Sequence, residues 1–228
     1  MAQLKKKLFG DIIGGFGDAI YRERFGENFI SQKPVDYTTP MDAASIARRK
    51  RFRLTGKTAK SIYGVKPLKG LWQQVTPPDM PTYPYIFSTN YKYVTDVSVS
   101  DMLQIVPGYG FGVTVTTQSV DATKVNVVMA AIGENAGINK SAEPNMMMGC
   151  VLFLSDPVNQ ESDPYILLSL ASVSQPTDLA GELTFDAILT SQQSQIFNAY
   201  QVNKAYIAVV TLDSQDNPVH YSSTVLLT

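Results

Sequence analysis

The chain has 228 residues, 44% of them hydrophobic and 10% aromatic, with 19 Lys/Arg against 20 Asp/Glu and a formal net charge of −1. That composition excludes disorder along the whole chain, and the length fits one large domain or a small module joined to a sandwich-sized one. With one histidine (His220) and one cysteine (Cys150), the latter read as a buried, inert thiol in the apolar run 146–154, neither a zinc site nor a Cys-His dyad is expected. No other metal or cofactor is expected either.

The near-neutral total is a cancellation. Residues 1–70 hold 15 Lys/Arg against 6 Asp/Glu, whereas residues 71–228 hold 4 against 14. A basic first third on an acidic body suggests ends that dock on different things, or on each other in neighbouring copies. No apolar run approaches the roughly 20 residues of a membrane span. The cationic start Lys5, Lys6, Lys7 meets Gly10, Asp11, Gly14, Gly15 and Gly17 before any leader-like apolar core forms, so no Sec-type signal is read and a virion or cytoplasmic location is expected.

In chain order, alternation from Asp18 predicts a hairpin with Ile20, Arg22 and Arg24 on one face, a turn at Gly26-Glu27-Asn28 and a return from Phe29. A lone hairpin is marginal in water, so it needs a surface to lie against. Thr39, Pro40 and Asp42 read as cap, first helical position and capping-box acid of a helix over 40–63, stopped by Gly64. Met41, Ala44, Phe52, Thr55, Ala59 and Ile62 form its expected core stripe, and Arg49, Arg53, Lys57 and Lys60 a basic one. Like charges at that spacing repel, so a counter-charge is expected to meet them. A short helix over 68–75 buries Trp72.

Four prolines in 76–84 read as a stiff connector that excludes helix. The expected organisation is a basic hairpin-plus-helix module (1–75), this connector, and an acidic domain (85–228). Two-residue periodicity then predicts strands over 91–100, 102–106, 112–117, 124–132, 146–154, 165–173, 182–189, 205–212 and 220–227, with a helical turn near 192–200. The fold class is therefore mainly β with a small α+β N-terminal module. Its C-terminal part is an antiparallel β-sandwich, Ig-like/Greek-key or jelly-roll.

Motifs of chemistry are sparse. The glycines at 10, 14, 15 and 17 lack the spacing of a dinucleotide loop, and Gly56-Lys57-Thr58 lacks the first glycine of a phosphate loop, having Arg51 there. Asp156, Glu161 and Asp163, and Asp213, Asp216 and Asn217, read as solvated turn acids rather than a calcium loop. Asn139-Lys140-Ser141 fits a glycosylation sequon that carries no weight without secretion. Tyr83, Tyr85, Tyr91 and Tyr93 alternate as one strand face and are a possible stacking surface for sugars or bases, with burial as the blander reading. Lys5, Lys6, Lys7, Arg22, Arg24, Arg48, Arg49, Arg53, Lys57 and Lys60 are the candidate contacts to a partner or to phosphate.

The segments 8–26 (LFGDIIGGFGDAIYRERFG), 31–34 (SQKP) and 47–52 (ARRKRF) resemble a group of short proteins of unknown function from Bacteroidota, related bacteria and their phages. Those join a Gly-rich hairpin, an arginine-bearing helix and a divergent β domain. The resemblance implies that architecture over about the first 90 residues and no activity.

The expected role is non-enzymatic: a structural protein, a virion component or filament, that self-associates or docks on a larger acidic scaffold through its basic module. The alternatives are a nucleic-acid-binding protein using the basic stripe and a carbohydrate-binding sandwich.

Overall fold

The computed structural model describes residues 2–3, 14–24, 26–33 and 38–227. The chain divides into two compact units, Met1–Ser45 and Ile46–Thr228. The first holds β1 (Ala2–Gln3), β2 (Gly14–Phe16), β3 (Ala19–Arg24) and β4 (Glu27–Gln32), an antiparallel sheet in the order β1-β4-β3-β2. The expected hairpin is β3–β4, with Arg24 opposite Glu27 beside the turn. Gly26, at φ +77°, supplies the left-handed backbone this turn requires. Lys5, Lys6, Lys7 and Pro34 lie outside the described residues.

The second unit opens with three helices: α1 (Ala43–Gly64), whose first turn falls at the boundary, α2 (Lys66–Val75) and α3 (Thr82–Asn90). Then come β5 (Val115–Val120), β6 (Lys124–Met129), β7 (Asn145–Pro157), β8 (Tyr165–Ala171), β9 (Gln175–Pro176) and β10 (Leu183–Ile188). The chain ends with α4 (Ser191–Asn198), β11 (Tyr200–Leu212), β12 (Pro218–Tyr221) and β13 (Val225–Leu227). A three-stranded sheet runs β10-β6-β5. A six-stranded sheet runs β12-β11-β7-β8, with β13 also on β11 and β9 on β7. The protein is thus mainly β, with antiparallel sheets; α1, α2 and α3 pack on one side of the larger sheet, and α4 packs against the core on its other side.

Alternation along the central strands builds two cores. Met146, Met148, Cys150, Leu152 and Leu154 of β7 pack with Ala205, Ile207 and Val209 of β11 against Val125, Val127 and Phe185 of the smaller sheet. The intervening Val151, Phe153, Tyr206, Ala208 and Val210 face Leu54, Ile62, Leu68, Leu71, Trp72 and Ile86 of the helices. Strands buried on both faces read as unbroken apolar runs, which is why 146–154 looked uniform in sequence. Cys150 lies fully inside the inter-sheet core, and burial pushes its thiol up to about 12.

Several expected elements differ. The connector does not divide the units: α2 and α3, on either side of it, share one core. Residues 83–93 form helix, not strand, and Pro84 falls in the first turn of α3. The first four amides of a helix have no intrahelical acceptor, so proline is tolerated there. The true period of this segment is Ile86 and Asn90, both fully buried. Residues 91–100 are a 3-10 turn followed by a single bridge between Val94 and Val99.

The expected strand over 102–106 is irregular because side chains take up its backbone groups. Trp72 Nε1 donates to the Ile105 carbonyl (2.9 Å), and Asn90 bonds both the carbonyl and the amide of Gln104 (3.0 Å each). The strand over 220–227 splits into β12 and β13 around Ser222, whose hydroxyl accepts the Val209 amide at 2.9 Å.

α1 starts three residues late. Asp42, not Thr39, caps it, accepting the Ser45 amide at 2.9 Å. Its core stripe is Leu54, Thr55, Thr58, Ala59 and Ile62. The two threonines hide their hydroxyls on the carbonyls of Arg51 and Leu54. Phe52 is 62% exposed, and Met41 and Ala44 are also exposed, so the sequence stripe was tilted from the real one.

Glycines set how closely helix and sheet approach. A Cβ on Gly149 of β7 would stand 3.0 Å from the Leu68 side chain, and one on Gly70 of α2 would stand 2.6 Å from Pro218 Cγ. Gly70→Ala is expected to lower stability by about 1–3 kcal/mol in urea unfolding. Gly112→Ala, which meets nothing within 4 Å, serves as the neutral comparison. Cys150 is expected to react with a thiol reagent only on unfolding.

Candidate functional site

α1 carries Arg49, Arg53, Lys57 and Lys60 as expected, and the counter-charge for two of them comes from the same chain. Arg53 Nη2 and Lys57 Nζ reach the two carboxylate oxygens of Asp163, just before β8, at 3.3 and 3.1 Å. The Lys57 hydrogen bond, with its charge and that of Arg53, holds the Asp163 carboxyl below its ordinary range. These groups are largely in solvent, so each pair contributes no more than about 1 kcal/mol. Lys57 Nζ also sits 5.0 Å from the Tyr165 ring centre. Arg48, Arg49 and Lys60 lie exposed on α1, and Arg22 and Arg24 are in β3 of the other unit.

The four tyrosines do not form one face. A helix turns successive side chains by about 100°, where a strand would alternate them. Tyr83 donates its hydroxyl to the Gly56 carbonyl (3.1 Å). Tyr85 stands edge-on to Trp72 with ring centres 5.8 Å apart, and Tyr93 lies under Lys92 Nζ at 4.8 Å. Tyr91 accepts Arg51 at its carbonyl (2.7 Å from Nη2) and holds the guanidinium 4.1 Å from its ring centre. It continues a row through Phe87 to Phe52, at centroid spacings of 5.8 and 4.7 Å.

A second site had no signal in the sequence. Glu143 is 2% exposed in the turn before β7. Its carboxylate accepts the Asn139 amide (3.0 Å), the Thr211 hydroxyl of β11, and Nδ1 of His220 in β12 (2.9 Å). Thr211 Oγ1 in turn accepts the His220 amide at 2.9 Å. Burial pushes the Glu143 carboxyl up, but the hydrogen bonds from Thr211, His220 and the Asn139 amide outweigh it and leave it below its ordinary range. Glu143 lies 68 residues from Thr211 and 77 from His220 in sequence, and only the pairing of β11 with β7 and β12 joins them.

His220 lines an open cleft of about 530 Å³ with Tyr109, Phe111, Ile132, Ala136 and Tyr221. The wall is fixed by backbone pairing: the Phe111 amide donates to the Tyr221 carbonyl (3.0 Å), and the Ser223 amide to the Phe111 carbonyl (3.1 Å). Tyr221 anchors its hydroxyl on the Pro107 carbonyl at 2.6 Å. Gly110 permits this approach, since a Cβ there would lie 1.9 Å from the Tyr221 oxygen.

Unlike Asp163, the acids Asp213 and Asp121 bond within their own turns. Asp213 accepts the amides of Gln215 and Asn217. The Thr123 hydroxyl and amide, with the Lys124 amide, draw Asp121 down to about 2. Among the described residues no three His, Cys, Asp or Glu side chains gather as a metal centre would need. No described helix is long and apolar enough to cross a membrane.

No family model matches the chain, and no curated protein matches it. Among solved structures, a β-glucosidase from Kluyveromyces marxianus is similar over 54% of this chain at 14% identity, with a TM-score of 0.20. The chain spans 16% of that protein's length. A likeness this slight carries no functional argument.

Because Glu143 titrates below an unfolded glutamate, the stability it contributes is present above the unfolded value and is lost as pH falls through the folded one. Glu143→Gln is expected to cost about 1–3 kcal/mol near neutral pH. The gap to the parent protein should narrow in acid, as read by thermal unfolding across pH.

Proposed function

We propose that this is a non-enzymatic structural protein that assembles with further copies of itself, as a virion component or filament subunit does, through its basic N-terminal region. The observation that carries the reading is that, of the residues from 14 to 33 whose burial is described, none is buried. Ile20, Tyr21, Phe29 and Ile30 are only half-buried, so these apolar side chains are left partly open to solvent. Covering such a face adds to the stability of a small sheet.

A second copy suits the charge pattern. The first 70 residues carry the cationic excess and the remainder the anionic one, and complementary fields of this kind steer association and set its register. Asp163 already engages Arg53 and Lys57, which directs attention to Lys60, exposed on the same helix. The exposed Phe52, packed on Phe87, adds apolar area on that helix.

The nucleic-acid reading gains less support, since half of the basic stripe is occupied by Asp163. The sugar reading through Tyr83, Tyr85, Tyr91 and Tyr93 is weakened by their dispersal.

Sedimentation of the full chain is expected to show species larger than the 25.0 kDa monomer, increasing with concentration and decreasing with salt. Lys60→Glu should weaken the association by about threefold. A protein that stays monomeric across concentration and salt refutes the reading. Steeply salt-dependent retention of a DNA or RNA oligonucleotide by that monomer would favour the alternative.

A further inference from the structure

We propose that the cleft beside β12 binds a neutral, hydroxyl-bearing ring ligand of the saccharide class, with His220 as its polar anchor. The inference is independent of the assembly reading and rests on the geometry of one carboxylate, one imidazole and the walls around them. Glu143 accepts the hydrogen bond of Nδ1–H, which fixes the ring orientation and leaves Nε2 as the nitrogen that can accept a hydrogen bond in the cleft. Nε2 has no protein partner among the described residues, and the His220 side chain is 47% exposed at the cleft. A ligand hydroxyl is the group that an oriented, solvent-facing acceptor receives.

The electrostatics select against an anion. Any positive charge on His220 is offset by the ionised Glu143 directly behind it. Among the described lining residues there is no Lys or Arg. The remaining walls are apolar or aromatic. Phe111, Ile132 and Tyr221 are half-buried, while Tyr109 stands 86% exposed at the mouth. Such rings accept the C–H face of a sugar while its hydroxyls turn toward the imidazole. The volume of about 530 Å³ lies within the range usual for small-ligand sites.

The two oxygens of Glu143 divide the donors, one accepting the Asn139 amide and the other the Thr211 hydroxyl and the His220 ring. An amide here would turn its NH2 against one of these donors. The carboxylate, which has no donor of its own, accepts all three and holds the imidazole by Nδ1, with Nε2 left for the cleft.

The chain has one histidine, so isotope-labelled histidine in the full-length protein reports a single imidazole. Titration with methyl glucoside, methyl galactoside, maltose and cellobiose, each to about 50 mM, is expected to shift that signal saturably for at least one sugar. Tyr109→Ala, which removes an exposed ring and no core contact, should weaken the same titration by about three- to tenfold. His220→Gln should abolish the heat of binding of that sugar in calorimetry. Absence of any saturable shift overturns the proposal, as does an affinity unchanged by Tyr109→Ala. Glucuronate or inorganic phosphate binding better than every neutral sugar would show an anion site and overturn it equally.

Discussion

From Tyr200 opposite Pro157 to Leu212 opposite Asn145, β11 and β7 pair along their whole length, and from Ala205 to Leu212 of β11 both faces of that ribbon are buried. Each strand must therefore satisfy two cores at once, one under the helices and one under the smaller sheet. A slip of one residue would exchange the two sets of side chains. Gly149 opposes such a slip, because it occupies the helix-facing position at which Leu68 comes closest. The helices, the smaller sheet and the cleft all take their places from this register.

The buried carboxylate is a consequence of the same ladder. Thr211 lies near the end of β11, next to the pairing with β12. After β12 the chain continues along the same edge of β11 as β13. Glu143 enters just before β7 and closes the end of the sheet with three donors. A charge in that position is tolerable only because each donor is supplied by a different segment. The resulting rigidity is what presents one imidazole nitrogen to the cleft.

Charge is distributed less simply than a basic end and an acidic end. Asp163 spans Arg53 and Lys57 within one chain, and Arg51 is spent on the Tyr91 carbonyl and ring. The excess that can act between molecules is therefore smaller than the composition suggests. Of the basic stripe on α1, Lys60 remains exposed.

Hydropathy in the sequence determined the hairpin β3–β4, the long basic helix, the buried Trp72, the buried Cys150 and most strands from β5 onward, because each is set by neighbours within a few residues. Period and proline position misled over 76–106. Four prolines in 76–84 read as a connector and the aromatic alternation as a strand, although Pro84 sits in a first helical turn and Asn90 takes hydrogen bonds that a strand over 102–106 would have made. The basic stripe was legible, but its partner was not, since Asp163 lies 110 residues from Arg53 and looked like any turn acid. The Glu143–Thr211–His220 cluster was invisible for the same reason. Strand pairing alone brings those residues together, and pairing partners are chosen by burial across the whole unit rather than by local sequence.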